Sequence, residues 1–406
     1  MLARRTLLGA AATLPMLRTT RARADGAPLR IGVLGDQSGV YRDLSGPVAV
    51  AAVQLAVAEF GDHGMSVEVV SADHQNKPDI GAGIARKWID EDGVDMIIDV
   101  PNSAVALAVA GVCHAKDRVF INSGAATDEL TNRQCAPTTV HWTYDTWMLA
   151  HSTGAALVAQ GGDSWFFITA DYAFGHNLQK VTSDFVTQAG GRVLGSVLHP
   201  FPGTTDFSSY LLQAQASGAK VIGLCNAGND TVNSIKQAAE FGITQSGAKL
   251  AGLLTFISDV HALGLKTAQG LVLTDSFYWD HDDKTRAFTK RLVAHTDGVV
   301  PGMGHAGCYA GTLHYLKAAA ALGAAQAKKS GAAVVARMKA MPAEDDAFGQ
   351  TTIRADGRAL HAAFLQQVKA PEQSKGPWDY YTTLATTPAE QAFRPIAQSA
   401  CPAIKA

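Results

Sequence analysis

From Leu29 onward the chain repeats one unit: a short run rich in Val and Ile, followed by a helix-length amphipathic stretch. Strands apolar on both faces belong to parallel sheets, and parallel strands need the long crossover that a helix supplies. The repetition therefore predicts an α/β fold. LRIGVLG (29–35), SVEVVSA (66–72), VDMIIDV (94–100) and RVFINSG (118–124) are the first strands, with helices over 47–60, 79–91 and 103–116. After HWTYDT (141–146) the pattern restarts with SWFFITA, GRVLGSV, AKVIGLC and AKLAGLL, and QGLVLTDSFYWD (269–280) adds one more strand. Three helical stretches (283–296, 303–324, 331–341) and TTIRADGRALHAAFLQQVK, read as a hairpin turning at Asp356-Gly357, close the chain. The late helices have too few strands of their own, so they must complete an earlier lobe, and the chain must cross between two lobes more than once.

Composition narrows the functions available. The 406 residues suffice for two or three domains, and 47% apolar against 17% charged residues is a globular balance, not a disordered one. With 34 basic and 36 acidic side chains there is no field to grip nucleic acid. Residues 1–24 read as a secretory signal, with the Arg4-Arg5 pair of the twin-arginine type, an apolar stretch from Leu7 to Leu17 and the small-residue site Ala22-Arg23-Ala24. Its removal leaves 29 basic against 36 acidic residues, an acidic periplasmic protein with no stable membrane insertion and no other segment expected to span. Export makes the cysteines informative. Cys113, Cys225 and Cys308 lie in apolar runs and read as buried thiols, whereas Cys135 and Cys401 lie in polar, proline-flanked segments and are expected to pair; five free thiols is the alternative.

No catalytic spacing stands out. GVLGDQSG lacks both the GxGxxG order and a GK[ST] ending, and GxSxG and HExxH are absent. The histidines show no metal-ligand pairing, so no metal or cofactor is expected. Asp73-His74 reads as a turn cap before it reads as an acid and base pair. A periplasmic enzyme would have only Asp171 or His74 to work with. The informative positions are strand ends, because ligands of open α/β sheets bind at the carboxyl edge. These offer Gln37, Ser38 and Tyr41; Asn102 and Ser103; Ser123, Gly124, Ala125, Ala126 and Thr127; Tyr172 and Phe174; Asn226, Asn229 and Asp230; Thr255 and Phe256. Segments near the crossovers add Trp142, Tyr144, Phe277, Tyr278 and Trp279. Caps and core packing are the competing explanation for each taken singly.

SGVYRDLSGP, DVPNS, NSGAATDELT, ADYAFG and DFSSYLLQAQASGAKVI, in that order, resemble the branched-chain amino-acid-type (Leu/Ile/Val-binding) solute-binding proteins. The resemblance implies a type I periplasmic binding fold: two Rossmann-like lobes, joined by a three-segment hinge, that close on a small ligand and deliver it to an ABC permease of the inner membrane, without cofactor or catalysis. It suggests lobe one over 25–142 and 278–345, lobe two over 143–277 and 346–380, and a tail, 381–406, packed back on lobe one. The family's carboxylate-holding loop falls on Ser123 to Thr127, beside Asn102 and Ser103, and its lobe-two tyrosine on Tyr172. At the position of the acid that holds an α-ammonium this chain has Thr255 and Phe256, with Asp230 and Asp259 as the nearest substitutes. An unpartnered buried ammonium is costly, and aromatic residues abound, so the expected ligand is an aromatic or other apolar carboxylate. A branched-chain or other amino acid is the alternative, and a ligand-sensing subunit for a membrane receptor is the second.

Overall fold

The computed structural model describes residues 27–243 and 247–405; the signal expected over 1–24 lies outside them. Five parallel strands, β1 (Leu29–Gly35), β2 (Val67–Asp73), β3 (Met96–Asp99), β4 (Val119–Asn122) and β5 (Thr139–His141), form a first sheet in the order β2-β1-β3-β4-β5. The second sheet has seven strands: β6 (Ser164–Ala170), β7 (Arg192–His199), β8 (Val221–Cys225), β9 (Lys249–Gly252) and β10 (Val272–Asp275) are parallel, and β14 (Ala363–Val368) and β15 (Tyr381–Thr387) are added antiparallel beyond β10. Its order is β15-β14-β10-β9-β8-β6-β7. β3, β4 and β8 are buried throughout, as their unbroken apolar runs require.

The late helices do return to the first sheet. Met303–Leu322 lies against the helix Gly46–Phe60 and against β3, and Gly331–Lys339 packs on β4. Small residues make this approach possible: a Cβ on Gly307 would stand 2.3 Å from the Thr143 side chain, and one on Gly311 2.9 Å from that of Ile121. The segment Arg42–Phe60 has the length and composition of a membrane span, against the expectation that no segment beyond the signal could span, yet it is packed here as a core helix of lobe one.

Two boundaries differ from expectation. Residues 346–361 stay with lobe one's helices, because β11 (Ala343–Asp345), β12 (Gly349–Ile353) and β13 (Ala359–Leu360) form a small sheet of their own. The hairpin at Asp356-Gly357 thus pairs β12 with β13, and the chain enters the second sheet only at Ala363. Residues 381–387, expected in the tail, pair with β14 instead as the strand β15. Beyond them the tail does meet lobe one: Cys401 is bonded to Cys135, Arg394 pairs with Asp128, and the Ala400 N–H donates to Asn132 Oδ1 at 2.6 Å.

The described chain passes between the lobes after β5, after β10 and after β13, its tail returns to lobe one after β15, and the first and third of these crossovers lie side by side. Arg358, fully buried, holds them. Its guanidinium donates to the Thr143 carbonyl, to Ala359 O (3.1 Å) and to Asp145 Oδ2 (3.4 Å), and its carbon lies 4.3 Å from the centre of the Phe393 ring. His361 Nε2, 2.9 Å from the Trp142 carbonyl, adds a second tie.

Candidate functional site

Both sheets turn their carboxyl edges toward the same cleft, and each does so at the point where its strand order reverses, β1/β3 in one and β6/β8 in the other. Tyr41, Leu44, Pro101, Gly124, Ala126 and Tyr144 line a cavity from lobe one, and Tyr172, Phe174, Ala227 and Leu254 line it from lobe two. As the lobes stand its free volume is about 10 Å³, room for about one water. Pro101 follows an unusual turn, in which Asp99 ends β3 and Val100 comes after it with φ of 85° and 55°. Left-handed backbone at a β-branched residue is costly and is retained mainly where a site needs it.

The lobes are in contact over this cavity. The Tyr41 and Tyr172 hydroxyls hydrogen-bond to each other, and Phe201 stacks on both rings at centroid distances of 5.3 and 4.2 Å. The Asn229 N–H donates to the Val40 carbonyl at 3.3 Å, and Tyr144 meets Phe256 edge-on at 5.6 Å. Nearer the hinge, Asn177 donates to Asp128 Oδ1 at 3.0 Å.

The floor of the cavity is a loop of pinned amides. The N–H groups of Ser123 and Gly124 donate to the Asp99 carbonyl, that of Ala125 to Asn122 Oδ1 (3.0 Å) and that of Thr127 to Ser103 Oγ (3.3 Å). The Ala126 N–H, between them, has no such acceptor among the described residues. Buried N–H groups are seldom left so, which makes this one the natural donor to a ligand's oxygen. The helix Ser103–Ala115 begins beside it and adds partial positive charge.

Buried acids stand behind the lining: the charges of Asp99, Asp259 and Asp275 are felt at Tyr144 and that of Asp230 at Tyr172. Burial pushes Asp99, Asp230, Asp259 and Asp275 each up to about 7; a Ser45 hydroxyl opposes the shift at Asp99, and backbone N–H donors oppose it at Asp259 and Asp275. Asp230 has no such relief. It is 1% exposed, and neither carboxylate oxygen has a hydrogen-bond partner. His199 Nδ1, 4.0 Å away, is engaged with the Pro200 carbonyl at 3.2 Å; since that oxygen only accepts, Nδ1 carries the proton and spends it there. Burial also lowers the pKa of His199.

A pH test follows from the raised Asp230. Its folded-state pKa of about 7 lies above the unfolded value of about 3.9, so its burden is absent in acid and grows as pH rises through that window. Asp230→Asn carries no charge at any pH. Its melting temperature should exceed that of the parent by a margin that widens from pH 4.5 to pH 8; an equal margin at both would contradict the buried, unpaired carboxylate.

The expected site residues divide into three groups. Tyr41, Gly124, Ala126, Tyr144, Tyr172 and Phe174 line the cavity. Asn102, Ser103, Ser123, Ala125, Thr127, Asn226, Asp230 and Phe256 support it: Asn102 caps the helix Ser103–Ala115, Thr127 Oγ1 accepts from the Glu129 N–H at 3.4 Å, Ser123 Oγ meets Cys308 Sγ at 3.0 Å, and Asn226 bonds Thr231 and Ser234. Ser38, Trp142, Phe277 and Tyr278 are corrections. Ser38 is exposed and donates to Asp73, because the chain turns outward before Tyr41. Trp142 faces lobe one's returning helix and packs on His314 at 5.7 Å. Phe277 and Tyr278 follow β10, two strands from the reversal point, and pack on Phe288 and Tyr381. Leu44, Pro101, Ala227, Leu254 and Phe201 were not expected. The last four follow strands β3, β8, β9 and β7, so the strand-end rule reaches them once apolar residues are admitted.

Two Rossmann-like lobes, a hinge and a closed cavity between facing sheet edges define a two-lobed receptor for small solutes, with the type I periplasmic binding fold. The chain belongs to the periplasmic binding protein family, whose model matches residues 28–377. A periplasmic binding protein of Burkholderia mallei is 49% identical, with a TM-score of 0.88 over 92% of this chain and 98% of its own. A branched chain amino acid ABC transporter periplasmic ligand-binding protein of Burkholderia xenovorans LB400 is 39% identical, with a TM-score of 0.80 over 92% and 99%. An ABC transporter solute-binding protein of R. palustris, in complex with benzoate, shares the fold at 20% identity, with a TM-score of 0.81 over 93% and 100%. No curated protein matches the chain.

Proposed function

We propose that this protein is the periplasmic capture component of an ABC importer, exported by its signal segment, and that its ligand is a small aromatic or similarly apolar carboxylate. The observation that carries this reading is the unpaired Ala126 N–H on the floor of an otherwise apolar, aromatic-walled cavity. A carboxylate oxygen placed there gains a hydrogen bond strengthened by its charge, and Tyr144, Phe174 and Leu254 offer surfaces for a ring. The lobes stand closed with room for about one water, so a ring enters only when they part and then close around it. Nothing in this scheme makes or breaks a bond: the ligand bridges the lobes, and the closed form offers contacts that the open form lacks. The permease would read the closed form.

An amino-acid ligand is favoured by one observation, the unpaired Asp230 carboxylate, which an ammonium would satisfy. A thermal-shift screen of the mature protein against benzoates, aliphatic amino acids and small alcohols separates the readings, because a ligand of the folded state raises its melting temperature. Stabilisation by benzoates supports the proposal; stabilisation by leucine-like ligands alone refutes the ligand class. Tyr172 tests the site itself. Tyr172→Phe loses one neutral hydrogen bond across the cleft and should weaken binding by roughly two- to tenfold. Tyr172→Ala also loses the stack on Phe201 and should cost more than about tenfold. Unchanged affinity in both variants would remove Tyr172 from the site.

A further inference from the structure

Resting on the reading of a small acid as ligand, we infer that Asp230 accepts a hydrogen bond from the ligand's other end, so that the ligand is an acid bearing an O–H or N–H donor opposite its carboxylate. Three features of the molecule carry this. Asp230 belongs to lobe two, at the start of the helix Asn229–Glu240, which directly follows the cavity residue Ala227. Among the described residues neither oxygen of its buried carboxylate has a hydrogen-bond partner, and His199, which stands beside it, has its proton committed to Pro200. The charge of Asp230 is felt at both Tyr41 and Tyr172, the two residues that meet across the cleft above the cavity.

A carboxylate that has shed water and gained nothing is an expensive arrangement, and it is kept where something else completes it. The floor of the cavity is a donor, the Ala126 N–H; behind the lobe-two lining, at the helix start that follows Ala227, lies an acceptor, Asp230. A ligand matching both has an acceptor at one end and a donor at the other. This polarity also selects for closure, since a ligand bonded to Ala126 reaches Asp230 only when the lobes meet. The role differs from that of the acid in amino-acid-binding relatives, whose equivalent segment here holds Thr255 and Phe256.

The test compares benzoate, 4-hydroxybenzoate, 4-aminobenzoate and leucine by calorimetry on the mature protein and on Asp230→Ala. Hydrogen bonds to charged groups change affinity by roughly ten- to a hundredfold, so 4-hydroxybenzoate or 4-aminobenzoate should bind the parent at least about tenfold more tightly than benzoate. In Asp230→Ala that ratio should fall toward one, and which of the two is preferred distinguishes a hydroxyl from an amine donor. Equal affinities in the parent, or a ratio that survives in the variant, would overturn the role of Asp230 while leaving the aromatic-acid reading in place. Binding of leucine alone, lost in Asp230→Ala, would overturn the aromatic reading and keep Asp230 as acceptor. No binding of any of the four would overturn both. Losing an unpaired buried charge should not lower the melting temperature; if Asp230→Ala fails to fold, Asp230→Asn keeps the shape and takes the same ratio.

Discussion

Arg358→Met should destabilise the protein by about 3–5 kcal/mol, the usual cost of leaving a buried carboxylate without its cation. The arginine is fully buried, and among the described residues it is the cation in ion-pair contact with Asp145. Methionine restores the volume, so the loss would be electrostatic and hydrogen-bonding in origin, including the freed Thr143 and Ala359 carbonyls. Lysine is not a substitute, since a single ammonium cannot reach three acceptors that lie around a planar fork. The check is urea unfolding of the parent, Arg358→Met, Asp145→Asn and the double variant. The double variant should be less destabilised than the sum of the singles. Simple additivity would mean that the pair does not hold the hinge.

Gly228→Ala should weaken ligand binding by roughly ten- to a hundredfold, the cost of overpacking a closed interface. Gly228 has φ 58° and ψ −136°, and an added Cβ would stand 2.4 Å from the Val40 carbonyl of the opposite lobe. Backbone cannot yield as a side chain can, so the lobes must stay apart. The strained φ also adds about 1–3 kcal/mol in open and closed states alike. Small-angle scattering separates the two effects: the parent should contract on adding ligand, whereas Gly228→Ala should remain extended. Wild-type affinity together with normal contraction would show that the lobes do not meet at Gly228.

Much of this architecture is legible in the sequence because parallel sheets leave a plain trace. VDMIIDV and KVIGLC read as strands since no face of them is wet, and the late helices had to return to an earlier lobe for want of strands. Side-chain direction is less legible. Trp142 and Tyr144 are two residues apart beside the same crossover, yet Trp142 enters the core of lobe one and Tyr144 the cavity. Aromatic character drew Phe277 and Tyr278 into the expected site, although β10 lies too far from the reversal point. The same bias passed over Pro101 and Ala227, which have no polar or aromatic atom to announce them. The unpaired Ala126 N–H had no signal at all, because a sequence shows which residues can donate but not which donors are already spent. Residues 346–361 were assigned to the wrong lobe for a related reason: a hairpin is legible locally, but the partner of its sheet is not.

The bond between Cys135 and Cys401 joins residues 266 positions apart, and all of lobe two lies between them. Covalently, lobe two and lobe one's returning helices therefore lie within one closed ring, not on a stretch of open chain. A protease that nicks a surface turn of lobe two opens the ring without releasing a piece, so the cut protein should run as one band without reductant and as two with it. A single cut of this kind leaves every residue of the cavity tethered to every other.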